Sequence, residues 1–512
     1  MSSEDSLKKI VKGGFIVFLG IFISKIVGYL YRIIVARIGA EQYGLLSLGI
    51  ALLGVFTTIS LLGLNQGILR YVSFYKGKED FQKIKELLSS AFKLTFSLSL
   101  IFAIILFIFS KQISITFFSN ENLSWIIKII AIALPFNTLR EVLINTFKAF
   151  QKVKYEVYIK NITENISKVI ITLIFIILGV KIIGATIAYT ASIILSFILA
   201  LYFLEKKVFS IFKTKLSKFS LNKELFRYSL PLLFGNFIFS LILWTDTLML
   251  GYFLPESEVG IYNAALPTAF LMFTIPYALL ALFIPILTEL HAQNKTEDFR
   301  SVYKTITKWI FLLNIILLGI FYLFSEKILG ILFGQEYTIA STSLLILSTG
   351  YFIGFLASSI QSVLLVIKRT KLILLNTSIM AIGNILLNIL LIPKYGIVGA
   401  AIATSSIFII RTILLVTEST LITKIFPFKL SYIKIIFSIL VTFFSIKYIS
   451  SFYEINLITL ILTSLFFLLI YGILLLLTKS LEKEDISIIK SIQQKTGKDF
   501  TKINQFLTKF SK

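Results

Sequence analysis

Apolar stretches of about 20 residues recur from one end of the chain to the other, separated by short polar segments. A helix needs about that many residues to cross a hydrocarbon core of roughly 30 Å. In lipid, only helices or closed barrels satisfy their own backbone polar groups, and these runs are far too long for barrel strands. The pattern predicts an all-α polytopic membrane protein with about 14 transmembrane helices. They fall near 12–36, 44–66, 86–110, 123–147, 156–179, 183–204, 226–250, 259–289, 305–325, 342–366, 372–392, 397–420, 431–450 and 456–478. The intervening loops are too short for a soluble domain. The first span follows only eleven residues and has no small-x-small cleavage site after it, so it is expected to stay as an anchor.

Two echoes within the chain share one period. Residues Ile183-Gly184-Ala185-Thr186-Ile187-Ala188-Tyr189-Thr190 return as Val398-Gly399-Ala400-Ala401-Ile402-Ala403-Thr404-Ser405, offset by 215 positions. Residues 35–44, ending in Tyr43-Gly44, are echoed by 251–260, offset by 216. Internal repeats are how many secondary transporters are built, with the substrate site between the halves. The expected organisation is a six-helix bundle over 1–205, an amphipathic linker at 206–225 and a second six-helix bundle over 226–423. Two further helices over 424–478 and a basic amphipathic tail over 479–512 complete it.

The formal charge of +24 raises the possibility of a nucleic-acid partner, but the placement of the charges argues against it. With the N-terminus, every second loop and the tail on one side, and charges within three positions of a span end counted with the adjoining loop, that side holds 36 of the 50 Lys and Arg and the opposite side 6. This is the positive-inside bias, so both termini are expected in the cytoplasm, in a cell membrane whose anionic lipids attract the basic loops. Phe209, Phe212, Leu216 and Phe219 in the linker fall at helical spacing among lysines, as do Phe500, Ile503, Phe506, Leu507 and Phe510 in the tail. Both segments suit helices lying in the membrane interface. There is no cysteine, which excludes disulfides and thiol chemistry. The single His291 is expected to be interfacial, and neither a metal nor a cofactor is expected.

Charges inside spans are costly, so those present mark candidate chemistry. Lys25 and Arg32 lie seven residues apart, nearly two turns, on one face of the first span. Lys160, Glu164 and Lys168 recur every four residues in the fifth, beside Asn161 and Asn165. Arg140 follows Pro135 in the fourth span, Asp246 lies in the seventh and Arg411 in the twelfth. Asn384 and Asn388 form another i,i+4 pair. A wet cationic cavity collecting Lys25, Arg32, Arg140, Lys168 and Arg411 would suit an anionic substrate; the competing reading is a set of interhelical ion pairs such as Arg140 with Glu141 or Lys168 with Glu164. Pro267, Pro276 and Pro285 interrupt the eighth span, and a helix broken there can serve as a hinge or simply pack better.

Ser24-Lys25-Ile26-Val27-Gly28, followed by Val35-Ala36-Arg37-Ile38-Gly39-Ala40-Glu41-Gln42-Tyr43-Gly44, resembles the opening of the polysaccharide-biosynthesis or oligosaccharide flippases. Asp246-Thr247-Leu248-Met249-Leu250-Gly251-Tyr252-Phe253, Val259-Gly260-Ile261-Tyr262-Asn263 and Ile392-Pro393-Lys394-Tyr395-Gly396-Ile397-Val398-Gly399-Ala400-Ala401 agree. That superfamily also includes multidrug and toxin extruders and lipid II flippases. The resemblance covers roughly residues 8 to 420 and implies two six-helix bundles in a MATE-like V, working by alternating access. The extra C-terminal pair matches the fourteen-helix branches. Where the lipid II pattern has an arginine this chain has Lys25, and where it has an acid this chain has Arg32.

The expected function is movement of a lipid-linked oligosaccharide, on a polyprenyl phosphate or pyrophosphate carrier, across the membrane. Glu164 or Asp246 would serve a coupling ion, a proton or sodium. The alternative is a cation- or proton-coupled multidrug exporter. An enzyme is not expected, because the loops opposite the basic side hold no cluster of carboxylates. The expected working unit is a monomer, with the lipid-linked substrate and membrane lipids as partners.

Overall fold

The computed structural model describes residues 24–210 and 223–480, together with Glu482 and Asp485. These residues are helical almost throughout and contain no strand. The tail positions from Phe500 to Phe510, and Phe212, Leu216 and Phe219 of the linker, lie outside the described residues. Phe209 packs inward, its ring 6.2 Å from Phe81 and 5.7 Å from Phe150.

The chain opens with α1 (24–36). It continues as α2 (Ala40–Leu61), α3 (Leu64–Gly77), α4 (Phe81–Ile108), α5 (Ser110–Phe118) and α6 (Leu123–Ala149). Helix α7 (154–177) contains a π-helical stretch at Val157–Thr163, and α8 is Ile182–Phe203. Then come α9 (Lys223–Phe253), α10 (Glu256–Phe270), α11 (Thr274–Ala292), α12 (Thr296–Leu332) and α13 (Ser341–Val366). The last are α14 (Thr370–Thr423), α15 (Ser431–Ser450) and α16 (Leu457–Leu477). Within the described residues, each predicted span overlies a helix.

Local chemistry sets several boundaries. Asp80 accepts from the Lys83 amide at 3.0 Å and caps α4, and Asn456 and Thr459 form a reciprocal capping box at the start of α16. Gly396 adopts φ 57°, ψ −136° three residues after Pro393, which divides α14 where two predicted spans meet. Among the described residues, nine helices are long and apolar enough to cross a membrane, or ten with the bent helix over 224–253. Helix α16 turns Ile458, Ile461, Leu462, Leu465, Leu469 and Leu477 outward. An apolar face of that extent belongs in lipid. The protein is a multi-pass membrane protein.

Among the described residues, the helices sort into two compact units, 24–263 and 264–485. In the first, α6 runs through the core against α2, α3, α4 and α8. Leu64, Ile68 and Leu88 are sealed in one core cluster with its own Leu143 and Phe147. Helix α9 lies against α2 and α3, where Gly54 leaves room for the Trp244 ring. The two repeats also meet here. A Cβ on Gly44 would stand 1.8 Å from the Glu256 carbonyl oxygen, and one on Gly260 would stand 1.9 Å from that of Ala40. Ala40 and Glu256, like Gly44 and Gly260, are related by the 216-residue offset. The echo in the sequence is thus a reciprocal contact of backbone on backbone, possible only where side chains are absent.

In the second unit, α13 packs between α12 and α14. Phe273, Tyr351, Phe355 and Phe408 form an aromatic cluster. Helices α15 and α16 pair with each other and lie on α12, where Phe467 fills the space over Gly319. A polar lock ties the segment after α16 to this group. Fully buried Lys308 donates to Asp485 Oδ2 at 2.6 Å, Trp309 Nε1 to Asp485 Oδ1 at 2.7 Å, and Lys429 to Glu482 at 2.6 Å. Burial disfavours the ionised form of Glu482, but the Lys429 bond and the Lys308 charge outweigh it and hold the carboxyl below the usual glutamate range. A carboxyl lowered in this way stabilises the fold above the ordinary value of about 4.3, and that contribution fades as pH falls through the lowered one.

Gly44→Ala and Gly260→Ala are each expected to destabilise the protein by about 1–3 kcal/mol through overpacking, read as a lower melting temperature in detergent. Wild-type melting of both variants would contradict the close crossing. Asp485→Ala should cost about 3–5 kcal/mol, because it leaves the buried Lys308 ammonium poorly compensated. Addition of Lys308→Met should recover part of that loss; strictly additive losses would argue against the lock.

Candidate functional site

The charges that the sequence places inside helices converge in the first unit. Arg140 is buried on α6, and its Nη1 donates to Glu164 Oε2 at 2.5 Å and to Ser196 Oγ at 3.2 Å. Its Nη2 donates to Asn137 Oδ1 at 2.6 Å and to Glu141 Oε1 at 3.2 Å. Lys160 donates to the same Glu141 oxygen at 2.8 Å, while Lys168 Nζ stands 4.0 Å from Glu164 Oε1. Three cations therefore share two carboxylates, leaving one positive charge over.

The π-helical stretch explains how one helix serves both carboxylates. Regular α spacing would set Lys160, Glu164 and Lys168 on a single face. The wider turns over Val157–Thr163 change the register before Glu164, so Lys160 meets Glu141 while Glu164 and Lys168 face Arg140. Asn165 Nδ2 donates to the carbonyls of Lys160 and Asn161 at 3.4 and 3.1 Å and supports this irregular backbone. It also donates to Ser24 Oγ at 2.9 Å, which ties α1 to the site. Such local π turns are frequent at functional positions.

Helix α1 adds more positive charge. Lys25 is exposed and Arg32 half-buried, and neither forms an ion pair among the described residues. The two are electrostatic neighbours, and Arg32 is a neighbour of Lys168 as well. Arg32 Nη1 donates to the Tyr43 hydroxyl at 3.3 Å, and that hydroxyl donates to the Asn263 carbonyl at 3.0 Å. Pro267, four residues on, has no N–H to offer that carbonyl. The Lys168 ammonium stands over the rings of Tyr31 and Tyr189, 4.9 and 5.1 Å from their centroids.

Other candidates fall elsewhere. Asp246 is buried on α9 and accepts from the Tyr262 hydroxyl at 2.7 Å. In the second unit, Arg411 donates to Gln361 and makes no ion pair among the described residues. Asn388 donates to Asn384 at 3.3 Å, and Asn384 to Thr404 at 2.9 Å. The eighth span is interrupted by a 3-10 turn at Leu271–Phe273, with Pro267 inside the helix before it and Pro276 and Pro285 inside the helix after it. His291 is exposed beside Phe299, and no metal-holding group of His, Cys, Asp or Glu occurs among the described residues. Sequence reasoning missed Asn137, Tyr31, Tyr189 and Ser196 as partners of the charges. Tyr189 lies inside the repeated segment 183–190, the one signal that pointed to it.

A helical membrane protein with a buried, net cationic polar cluster has the attributes of a transporter. The polysaccharide biosynthesis protein family model matches residues 10–291, and the MatE model matches 231–391. The chain belongs to the polysaccharide biosynthesis protein family. It is 32% identical over 204 residues to the probable low-salt glycan biosynthesis flippase Agl15 of Haloferax volcanii, covering 40% of this chain and 42% of that protein. It is 23% identical over 444 residues to stage V sporulation protein B of Bacillus subtilis, covering 82% and 85% of the two chains. The inward closed structure of the lipid II flippase MurJ superposes with a TM-score of 0.72 at 20% identity, over 90% of this chain and 98% of that one. The fold is that of MurJ and the MATE transporters, and the protein is a membrane transporter rather than an enzyme.

Glu164→Gln should destabilise the fold by about 3–5 kcal/mol, since it strips buried Arg140 and Lys168 of their shared carboxylate. Arg140→Gln added to it should restore part of the loss, measured by thermal unfolding in detergent. Independent, additive losses would show that the two groups do not act as a pair.

Proposed function

We propose that the protein moves a lipid-linked oligosaccharide, on a polyprenyl phosphate or pyrophosphate carrier, from the cytoplasmic to the outer leaflet by alternating access. In this reading fourteen spans form two six-helix bundles and a C-terminal pair, with both termini in the cytoplasm. The names of the related glycan and lipid II flippases support the substrate class. The observation that carries the reading is the surplus of buried positive charge. Arg140, Lys160 and Lys168 outnumber Glu141 and Glu164, and Lys25 and Arg32 stand nearby with no carboxylate of their own. Such a surplus among membrane helices is useful when an anion comes to meet it.

The roles then divide. Lys25, Arg32 and Lys168 attract the phosphate, the sugars cross through the wet interior, and the polyprenyl tail stays in lipid. Arg140 has its Nη donors committed to Glu164, Glu141, Asn137 and Ser196, so it holds the carboxylates in place. Arg411 is a cation of the second unit by itself, held by Gln361, and the break at Leu271–Phe273 gives α10 and α11 their hinge. A drug exporter would present an open carboxylate to organic cations, whereas Glu164 lies between two of the protein's own cations. A proton or sodium coupled through Glu164 or Asp246 remains compatible with this scheme.

Lys25→Ala and Arg32→Ala are each expected to slow translocation of a labelled lipid-linked oligosaccharide in proteoliposomes by about tenfold or more. That is the loss expected when one charge-assisted contact worth about 1.5–3 kcal/mol is removed. Lys25→Arg should retain more activity than Lys25→Ala, because charge is preserved although its geometry is not. Wild-type rates per folded molecule in both alanine variants would falsify the phosphate site.

A further inference from the structure

Lys168 differs from the other ion-paired lysines of the helices in how it is held. Lys160 donates to Glu141 at 2.8 Å, and Lys308 donates to Asp485 at 2.6 Å. Lys168 makes no hydrogen bond among the described residues; its nearest carboxylate oxygen is 4.0 Å away, and its contacts are the faces of Tyr31 and Tyr189. The two ring centroids lie 6.3 Å apart with their planes inclined by 36°. The side chain is 9% exposed, and its ammonium is not among the fully buried polar atoms without a hydrogen bond.

We propose that Tyr31 and Tyr189 are positioning residues that cradle the Lys168 ammonium and keep its N–H donors free for a lipid-borne phosphate. The inference rests on the flippase reading above and names a part of its site that the charges alone do not reveal. Attraction to a ring face is electrostatic and takes up no particular N–H, so it fixes where a cation stands without using up its donors. A hydrogen-bonded lysine such as Lys160 must break a bond before it can serve a ligand. Lys168 needs only to turn. The Tyr31 wall is anchored to the helix that carries the other: its hydroxyl donates to the Ala185 carbonyl at 3.4 Å, one turn before Tyr189. Arg32 is an electrostatic neighbour of Lys168, so two cationic side chains stand near the same ligand position. Lysine acts there as a compact point charge, which suits a phosphate presented from varying directions during transport.

The test uses the purified full chain in detergent with polyprenyl phosphate as probe and the matching polyprenyl alcohol as control, read as dissociation constants. The expected wild-type result is a clear preference for the phosphate, and Lys168→Gln should abolish most of it. Tyr31→Leu and Tyr189→Leu should each weaken phosphate binding by roughly tenfold with little effect on the alcohol, as loss of a cation–π wall predicts. Tyr31→Phe and Tyr189→Phe keep the ring face and should restore most of that binding, which a purely structural need for the hydroxyl would not allow. Equal binding of phosphate and alcohol by the wild type overturns the cradle. So does unchanged phosphate binding in both leucine variants, or phenylalanine variants as weak as the leucine ones. Phosphate binding with the expected order of variants, but no translocation of any lipid-linked oligosaccharide, supports the cradle and overturns the transport reading instead.

Discussion

Arg140 can occupy the interior of a membrane helix only because Glu164 and Glu141 reach it from either side, with Asn137 and Ser196 taking its remaining Nη donors. A guanidinium cannot shed its charge, so it must be compensated wherever it is buried. That requirement sets the neighbourhood. Glu141 is drawn toward Lys160, Glu164 toward Lys168, and α7 changes its helical register at Val157–Thr163 to deliver both pairs. The helices that carry the chemistry are thus fixed by electrostatics, whereas those that carry only Leu, Ile and Phe are placed by packing and lipid.

The second organising contact has no side chains at all. Gly44 and Gly260 bring the starts of α2 and α10 together backbone to backbone, with Ala40 and Glu256 completing a reciprocal set. Close by, the Tyr43 hydroxyl links Arg32 to the Asn263 carbonyl, a group that Pro267 leaves without its helical donor. A charge on α1 is therefore wired to the residue where the broken eighth span begins to lose its regular hydrogen bonding.

Much of the fold was legible because its signals are local. Apolar runs located the helices, and the gap between the spans at 372–392 and 397–420 falls at the kink of Gly396 inside α14. The ion pairs of Arg140 with Glu141 and of Lys168 with Glu164 were visible as neighbours in sequence. What sequence spacing concealed depends on tertiary approach. The π-helical stretch divides a face that regular spacing kept whole, Tyr31 and Tyr189 reach Lys168 from other helices, and Asp485 meets Lys308 across 177 residues. None of these leaves a periodic trace, since each is set by where two helices happen to be packed. The repeat was the exception, a long-range contact written twice in the chain.

The account turns on whether a lipid phosphate comes to the cationic face shared by α1, α7 and α8. A polyprenyl phosphate analogue with a photoreactive diazirine beside its phosphate, activated in membranes containing the protein and mapped by mass spectrometry, addresses that directly. Adducts concentrated in residues 24–36 and 164–189, and competed away by unlabelled polyprenyl phosphate, are the predicted result. Adducts confined to outward-facing side chains of helices such as α16, indifferent to competitor, would contradict it.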